Sequence, residues 1–542
     1  MILTSVAELV GVASIMPFMA VAATPELVSS NPYLAASYTW VGAPDVDTFV
    51  IYLGLAFVLL IFLSNGLLLV SQFFMNRYAH RLGGEFSTAV YDYYLGKSIL
   101  FHNTSNSADL IQQIMFDTQR ISTHLVAPAL RLNGRLFSII LLSSLIVYVD
   151  VVVAFATLLC LVLVYWFVFY ALRSRIYKNG RFISSANADR NKLLIQSFEG
   201  IKDIKLYQAE NRLIDDFRES TRKVARYMAE NMNLGQSPYY LVETVVLVGM
   251  LLITLYFVTS KGGVESVLPV LTLYAMAGFK LVPKVQQSYL AITQIRGAQA
   301  VFEAVFPILR DANQSKRASQ SVIKPLVPQR DIVMKRVSYR YPGAAVDLFS
   351  EVTLEITVGQ VVAITGRSGV GKSTLVEILM GLIEPDAGVL CIDGVELDAF
   401  GTSSWQRAVG FVPQTVYLSD VSIAENIAFG LEPREIDLER VRYAAVQAAI
   451  DADVMNLPEG YHTQVGERGA MLSGGQRQRI GIARALYREV SVLILDEATS
   501  ALDNETQESV FHNLQSTQPP LTVIMVTHRK ETLTYADTVF AI

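Results

Sequence analysis

Long apolar blocks alternate with polar, basic segments over residues 1–300. The blocks predict six membrane helices, at approximately 1–24, 49–76, 130–149, 151–172, 237–260 and 266–290. An α-helix rises ~1.5 Å per residue, so about 20 apolar residues cross a hydrocarbon core about 30 Å thick. Asp150 alone separates the third block from the fourth, which indicates a tight hairpin. For the shortest blocks, a buried helix of a soluble protein is the alternative.

Lys and Arg are distributed unevenly between these blocks. Segment 173–226 holds thirteen of them and 77–135 holds six, whereas 25–48 has none and the turn at 261–265 has only Lys261. Cytoplasmic loops of membrane proteins carry an excess of basic residues. The two basic segments and both chain ends are therefore predicted to be cytoplasmic.

The basic segments contain many helix formers and few Gly or Pro, which predicts membrane helices that continue into the cytosol. A helix over about 49–98 would be ~75 Å long, more than twice the hydrocarbon thickness. Polar breaks at Phe101–Ser107 and Gln208–Arg212 lie where such helices would turn back.

Composition agrees with a membrane protein. Of the 542 residues, 52% are hydrophobic and 17% are charged, whereas charged residues make up about 25% of soluble domains. The two cysteines, Cys160 and Cys391, exclude a disulfide scaffold, and the net charge of −5 gives no reason to expect a nucleic-acid partner. Glu8 inside the first apolar run argues against a signal peptide. We interpret residues 1–24 as a first membrane helix without its cytoplasmic start.

A polar linker over 311–330 leads into residues 331–542, where predicted strands and helices alternate. Gln360–Thr365 is a short β-branched strand, followed by GRSGVGKS at 366–373 and a helical stretch, Thr374–Met380. This order of strand, glycine-rich loop and helix predicts a phosphate-binding loop.

The loop has a defined chemistry. Its glycines let backbone N–H groups surround phosphate oxygens, and the helix N-terminus adds its dipole. Lys372 is placed to neutralise the β- and γ-phosphates, and Ser373 offers a hydroxyl to Mg²⁺. The predicted nucleotide-binding residues of this loop are Gly366, Gly369, Gly371, Lys372, Ser373 and Thr374.

Two consecutive acids follow another apolar strand, Ser491–Asp496. A buried strand end would present Asp496 to Mg²⁺, and Glu497 could then activate the attacking water. The alternative is that both acids only cap the next turn.

Leu472–Gln476 (LSGGQ), followed by a predicted helix at Arg477–Leu486, completes a recognisable set. With the phosphate loop and the acidic strand, together with Gln414, Ser500–Asp503 and His528, it resembles the ATP-binding cassette (ABC) family over 331–542. We therefore expect an all-α six-helix transmembrane domain over 1–310 and an α/β P-loop NTPase domain, an ABC cassette. The cassette stops at Ile542 within a predicted strand, so we expect that further residues follow it.

The resemblance implies roles for these residues. Two cassettes would close head to tail over two ATP molecules, so that Ser473, Gly474, Gly475 and Gln476 of one chain face the ATP held by Lys372 of the other. Gln414 would sense Mg²⁺ and water, His528 would contact the γ-phosphate, and Asp503 would link the two sites. Tyr341 falls where the family stacks an aromatic ring on adenine. Tyr339 is the competing candidate, and a core tyrosine is the alternative for either.

Val465–Gly469 (VGERG) resembles a loop special to exporter-type cassettes. A membrane half fused to one cassette then implies an exporter-type half-transporter that acts as a homodimer, with 101–107 and 208–212 as candidate coupling helices.

The membrane half resembles the PglK-type flippases of lipid-linked oligosaccharides. The residues that carry this resemblance are Glu8 with Met16–Phe18, the segment Asn31–Thr39, and Phe279–Pro283. In such flippases a short external helix assists the substrate, and Pro32–Trp40 could be that helix, with an ordinary aromatic-containing loop as the alternative.

Charge within a membrane helix usually faces a partner or an aqueous cavity. By this resemblance, Lys280 lines the cavity and could meet a pyrophosphate, while Asn65 and Tyr239 replace two arginines of the flippases. The alternative for Lys280 is an ion pair with Glu243.

The sequence thus predicts an ATP- and Mg²⁺-dependent exporter or flippase of a lipid-linked saccharide in the bacterial inner membrane, with its cassette in the cytoplasm. A transporter of lipid, drug or peptide is the alternative within the class, and a soluble mechanical ATPase is the alternative outside it.

Overall fold

The computed structural model describes residues 2–149, 151–260, 264–314, 324–367 and 369–542. The predicted hairpin residue Asp150, the turn residue Lys261, residues 315–323 of the linker and the side chain of Cys160 lie outside the described residues. The chain divides into two compact units, Met1–Lys97 with Thr104–Lys316, and Ser98–Asn103 with Arg317–Ile542.

The part of the chain before the linker is helical. Its α-helices are α1 Ile2–Ala13, α2 Ile15–Ala23, α3 Leu27–Ser30, α4 Pro32–Val41, α5 Val46–Leu95, α6 Ile99–Thr104, α7 Ser107–Ile111, α8 Thr118–Ile121, α9 Ala127–Val149, α10 Val151–Glu199, α11 Ile201–Leu206, α12 Glu210–Ser260 and α13 Val264–Gln314. Two π-helical segments, Gln112–Asp117 and Ser122–Val126, join α7 to α8 and α8 to α9.

Helix α5 shows why the apolar blocks become long helices. Asp45 caps its start by accepting a hydrogen bond from Thr48 N at 2.7 Å, and no proline interrupts its 50 residues. Leu59 and Phe62 are 69% and 74% exposed, which suits a helix whose surroundings are lipid rather than water. Helix α5 confirms the predicted helix at 49–98, and both of its ends lie three residues earlier in the chain.

Among the described residues, three helical runs are long and apolar enough to cross a membrane: Ile2–Ala23, Val46–Leu95 and Ser107–Val149. Helices α10, α12 and α13 cover the other three predicted blocks. The count of six spans remains a prediction.

The second polar break, around Gln208–Arg212, lies where the chain turns. The chain turns around the short helix α11, which ends at Leu206, and α12 already begins at Glu210. The predicted break at Gln208–Arg212 therefore begins within this turn and runs into the first turn of α12, whose polar residues resemble a loop in the sequence. The first break, at Phe101–Ser107, contains the turn between α6 and α7 and likewise runs into both helices.

The apolar core of the first unit contains side chains from several helices. Val12 of α1, Leu142 of α9, Val242 of α12 and Leu273 of α13 are buried in one apolar cluster. This packing fixes the positions of the polar side chains that the same helices carry.

Pro32–Trp40 does form a helix, α4. Asn31 accepts hydrogen bonds from Tyr33 N and Leu34 N, and Gly42 ends the helix in the left-handed conformation, so both ends are capped. Trp40 is 89% exposed, whereas Tyr38 packs edge-on against the buried Phe49.

The second unit is an α/β domain with two sheets. Its strands are β1 Asp331–Tyr339, β2 Phe349–Thr357, β3 Val361–Thr365, β4 Ala387–Ile392, β5 Val395–Glu396, β6 Val409–Val412, β7 Val492–Asp496, β8 Thr522–Val526 and β9 Thr538–Ala541. Its helices after the linker are α14 Lys372–Leu379, α15 Ala399–Ala408, α16 Ile423–Ile427, α17 Leu438–Gln447, α18 Asp451–Met455, α19 Gly474–Tyr487, α20 Asn504–Gln515 and α21 Lys530–Leu533.

The sheet topology positions the site. An antiparallel sheet has the order β2-β1-β4-β5, and a parallel sheet has the order β6-β7-β8-β3-β9. Strands β3, β7 and β8 are buried apolar runs, as is typical of parallel strands covered on both faces. The segments that follow them therefore emerge at one edge of the sheet.

Candidate functional site

The glycine-rich loop leaves β3 and enters α14. Gly369 and Gly371 have φ angles of +82° and +102°, which L-residues with a side chain rarely adopt. A Cβ on Gly371 would lie 2.8 Å from Leu348, so a larger residue does not fit there. Lys372 begins α14, and its Nζ donates to the carbonyl oxygens of Gly366 at 2.9 Å and Arg367 at 3.1 Å. The lysine thus folds over its own loop.

A carboxylate and a hydroxyl face each other beside this loop. Asp496 ends β7, and its Oδ2 accepts from Ser373 Oγ at 3.5 Å. Burial raises the pKa of Asp496, and the neighbouring charge of Glu497 raises it further. Oxygen ligands of this kind suit Mg²⁺, which takes one or two protein ligands and completes its shell with phosphate oxygens and water. The residues therefore fit this ion.

Glu497 is held from two sides. Gln414 Nε2 donates to Glu497 Oε2 at 2.8 Å, and His528 Nδ1 lies 3.0 Å from Oε1. The backbone of Glu497 has φ +50°, a left-handed conformation that costs about 1–2 kcal/mol in a residue with a side chain. Two residues that are far apart in sequence, Gln414 and His528, thus fix one carboxylate.

The two candidate aromatics have different surroundings. Tyr339 is 4% exposed and packs in the core of the domain, whereas Tyr341 is 39% exposed. Tyr341 and Thr374 hydroxyls share a hydrogen bond at 2.7 Å, so Tyr341 lies beside the start of α14. This arrangement favours Tyr341 as the residue available to a base.

The LSGGQ segment forms the start of α19. Ser473 Oγ accepts from Gln476 N at 3.2 Å, and the Gln476 side chain accepts from Ser473 N at 2.9 Å, a reciprocal capping box. Gly475 approaches the Ala501 carbonyl so closely that a Cβ would lie 3.0 Å from it.

Sequence reasoning missed Gln478, which is 5% exposed. Its side chain accepts from Ala501 N at 3.1 Å and donates to Ser500 Oγ at 3.4 Å, so it connects α19 to the segment Ser500–Asp503. Asp503 in that segment caps α20 by accepting from Thr506 N at 2.8 Å. In the VGERG segment, Gly469 has φ +71° and its carbonyl accepts from Arg477 Nη1.

The membrane half holds a second polar group. Lys280 Nζ donates to Asn65 Oδ1 at 3.3 Å, so two of the three predicted substrate residues meet. Tyr239 is not part of this contact and packs edge-on with Tyr240. The alternative pairing of Lys280 with Glu243 does not occur among the ion pairs of the described residues.

The buried ion pair of this half joins Lys284 to Glu8 instead, at 2.7 Å. No sequence pattern could pair them, because they lie at opposite ends of the membrane half.

Two family models match the chain: the ABC transporter transmembrane region over residues 4–279 and the ABC transporter over residues 349–500. The chain belongs to the ABC transporter family, as an exporter in which a helical membrane domain and an ATP-binding cassette are fused. It is an integral membrane protein whose ATPase is coupled to transport, and it carries one membrane half and one cassette. A soluble mechanical ATPase is thereby excluded.

Curated relatives resemble it over most of its length. An ATP-dependent lipid A-core flippase of Saccharophagus degradans is 31% identical over 81% of this chain and 73% of its own length. The flippase of the same name from Cupriavidus metallidurans is 28% identical over 83% and 75%. Leukotoxin translocation ATP-binding protein LktB of Mannheimia glucosida is 32% identical over 84% of this chain and 64% of its own length.

A solved structure supports the fold. A bacterial Atm1-family ABC exporter with ATP bound superposes with a TM-score of 0.77 at 22% identity, over 98% of this chain and 92% of that chain.

Proposed function

We propose that this exporter is a homodimeric flippase of a lipid-linked oligosaccharide or polysaccharide precursor in the bacterial inner membrane, with its cassette in the cytoplasm. The observation that carries the ATP-driven part of the proposal is the Glu497 carboxylate, held between Gln414 and His528 beside Asp496. Such an arrangement can orient a water for attack on a phosphoryl group, and it makes this cassette competent for hydrolysis.

Each cassette residue then has a role. Glu497 accepts the proton of the attacking water, while Gln414 and His528 hold its carboxylate in place. Ser373 and Asp496, with Gln414, would hold Mg²⁺, which would neutralise charge on the phosphates. Lys372 and the loop glycines bind the phosphates, and Tyr341 stacks on adenine.

The LSGGQ segment, Leu472–Gln476, is the signature segment of this chain, and it acts in the other copy of the chain. The start of α19 carries backbone N–H groups that have no partner within the helix, and a positive dipole end, which would attract a γ-phosphate. Ser473–Gln476 of one chain therefore completes the site of its partner, and Asp503 links the two. The homodimer is the simplest assembly, since one chain supplies every part.

The membrane half supports an amphiphilic cargo. Relatives named as lipid A-core flippases move a glycolipid, and Lys280 with Asn65 gives this half a polar contact that can meet an anionic headgroup. Tyr239 remains a proposed neighbour of the substrate path. Helix α4, with Tyr33 and Trp40 exposed, is proposed to assist the saccharide on the outer side.

Protein export is the second candidate. The similarity to the leukotoxin translocation protein LktB favours it, because that similarity covers as much of this chain as the similarity to the flippases does.

The test uses Glu497→Gln in lipid vesicles. Wild type should hydrolyse ATP, and a pyrophosphate-linked glycolipid should stimulate the reaction and be flipped. Glu497→Gln should retain ATP binding and lose both activities. Hydrolysis stimulated by an unfolded polypeptide but not by the glycolipid would favour the second candidate and refute the flippase.

A further inference from the structure

A basic cavity lies in the membrane half, and its lining includes Lys284, one helical turn along α13 from Lys280. It measures about 380 Å³, within the ~300–1,000 Å³ range of ligand pockets, and α1, α5, α9 and α13 line it. Its charged lining residues are Arg131, Arg135 and Lys284, and Gln72 and Gln287 add amide groups. In the predicted topology these residues lie at the cytoplasmic ends of the membrane spans, at the level of lipid headgroups.

The two arginines have no counter-ion in the described part of the chain. Arg131 and Arg135 are half-buried and one helical turn apart on α9, a spacing at which like charges repel. Arg131 Nε donates to the Ala127 carbonyl at 3.2 Å, and Arg135 Nη1 donates to the Gln287 carbonyl at 2.8 Å. Each guanidinium is thus oriented, and further N–H groups are left for a ligand.

Lys284 connects the cavity to a buried acid. Its side chain is 14% exposed, and its Nζ pairs at 2.7 Å with Glu8 of α1, whose side chain is 2% exposed. Ser138 Oγ donates to the same Glu8 oxygen at 3.1 Å. Glu8 does not line the cavity, so Lys284 stands between an internal carboxylate and the open space.

We propose that this cavity binds the phosphate or pyrophosphate group of an anionic amphiphile, and that Glu8 competes with that group for Lys284. Guanidinium groups match phosphate oxygens in a bidentate geometry, and three cations with one internal acid leave the site with a net positive charge. The lipid source of the phosphate depends on the proposed flippase function, whereas the anion site itself does not.

Because Glu8 and the ligand compete for Lys284, replacing Glu8 and replacing Lys284 should change ligand affinity in opposite directions. Without Lys284 the ligand loses a cation and binds more weakly. Without the charge of Glu8, Lys284 is released to the ligand, which binds more tightly. If the pair only stabilised the helix packing, both variants would lower the unfolding temperature and neither would change binding in this signed way.

The experiment measures binding of a fluorescent short-chain phosphatidic acid to the purified full chain in detergent, with the matching diacylglycerol as the uncharged reference. Arg135→Gln and Lys284→Gln should each weaken binding about tenfold, the effect of losing one charge-assisted hydrogen bond. Glu8→Gln should tighten it severalfold. The matched control is Glu85→Gln, which breaks an exposed pair with Arg81 and should change nothing.

Weaker or unchanged binding in a folded Glu8→Gln, or equal binding of diacylglycerol, would overturn the proposal. If Glu8→Gln does not fold, Glu8→Asp lengthens the pair and should tighten binding to a smaller extent. Inorganic pyrophosphate, used as a competitor, distinguishes the two possible sources of the phosphate group. If pyrophosphate displaces the fluorescent lipid at concentrations similar to those at which the lipid binds, the natural ligand is a free anion. If much more pyrophosphate is needed, the ligand is a lipid headgroup. Charge-dependent binding without flipping would refute only the proposed function, and flipping with binding insensitive to these variants would refute only this site.

Discussion

At the scale of single residues, the nucleotide site depends on backbone conformations that few side chains permit. Gly369 and Gly371 adopt positive φ angles in the phosphate loop, and Glu497 does so after β7. Such conformations persist only where the surroundings hold them, and they concentrate at functional sites. The site is therefore sensitive to changes too small to alter the fold.

The two loop glycines allow a matched comparison. Gly371→Ala adds both backbone strain and a clash with Leu348 at 2.8 Å, whereas a Cβ on Gly369 meets no described atom within 4 Å. Strain alone costs about 1–3 kcal/mol, so we expect Gly369→Ala to weaken ATP binding and Gly371→Ala to weaken it much further. Equilibrium titration with a fluorescent ATP analogue measures both, and equal losses would show that the clash with Leu348 is unimportant.

The paired acids predict a pH dependence. Asp496 must be ionised to bind Mg²⁺, so Mg²⁺-dependent nucleotide binding is lost as pH falls through its pKa, which burial and then Glu497 raise. Glu497→Gln removes the second cause, lowers that pKa and should move the acid midpoint of binding to lower pH. Binding of a non-hydrolysable ATP analogue across pH measures the shift. Glu508→Gln, an exposed change of equal charge on α20, should leave the midpoint in place.

At the scale of elements, two long helices cross at a pair of glycines. A Cβ on Gly180 of α10 would lie 2.5 Å from the carbonyl oxygen of Gly297 on α13, whereas the nearest atom to a Cβ on Gly297 is Ile176 Cγ2 at 4.0 Å. The close approach therefore depends on one glycine of the pair and not on the other.

This asymmetry predicts opposite effects for the same substitution. Gly180→Ala should force α10 and α13 apart and destabilise the protein by about 1–3 kcal/mol, as overpacking does. Gly297→Ala should be neutral or stabilise by up to about 1 kcal/mol, because alanine favours the helix. Thermal unfolding of the full chain in detergent compares them. Similar losses for both would mean that the helices cross elsewhere.

At the scale of the whole molecule, each chain carries one phosphate loop and one signature segment. If nucleotide is held between two copies, the loop of one chain works with the signature of the other. Defects in these two segments would then fall at different sites of a mixed dimer.

Mixing two inactive variants tests this arrangement. Lys372→Ala should prevent phosphate binding, and Ser473→Asp should keep the helix cap but repel the γ-phosphate. Each alone should be inactive, whereas the co-expressed pair should regain hydrolysis, since one site of the mixed dimer combines two intact segments. No recovery in isolated mixed dimers would contradict a site shared between chains.

The extent to which the sequence predicted the structure differs between the two halves. In the cassette, β3, α14, β7 and α19 lie within a few residues of their predicted positions, because each is a contiguous motif with its own periodicity and flanking glycines. In the membrane half, α5 begins and ends within three residues of its predicted bounds, and the predicted break at Gln208–Arg212 overlaps the turn before α12. The start of α12 itself was not marked, because polar residues continue from the turn into the helix.

The sequence by itself determined the class of protein, the helical membrane half and the identity of the nucleotide motifs, since these are written in local patterns of apolar residues and glycines. Only the tertiary structure decided which distant side chains meet. It placed Lys284 against Glu8 and Lys280 against Asn65, and left Arg131 and Arg135 facing a cavity without a counter-ion among the described residues. Periodicity reports which face of a helix is polar, but the neighbour of that face is chosen by the packing of helices far apart in the chain.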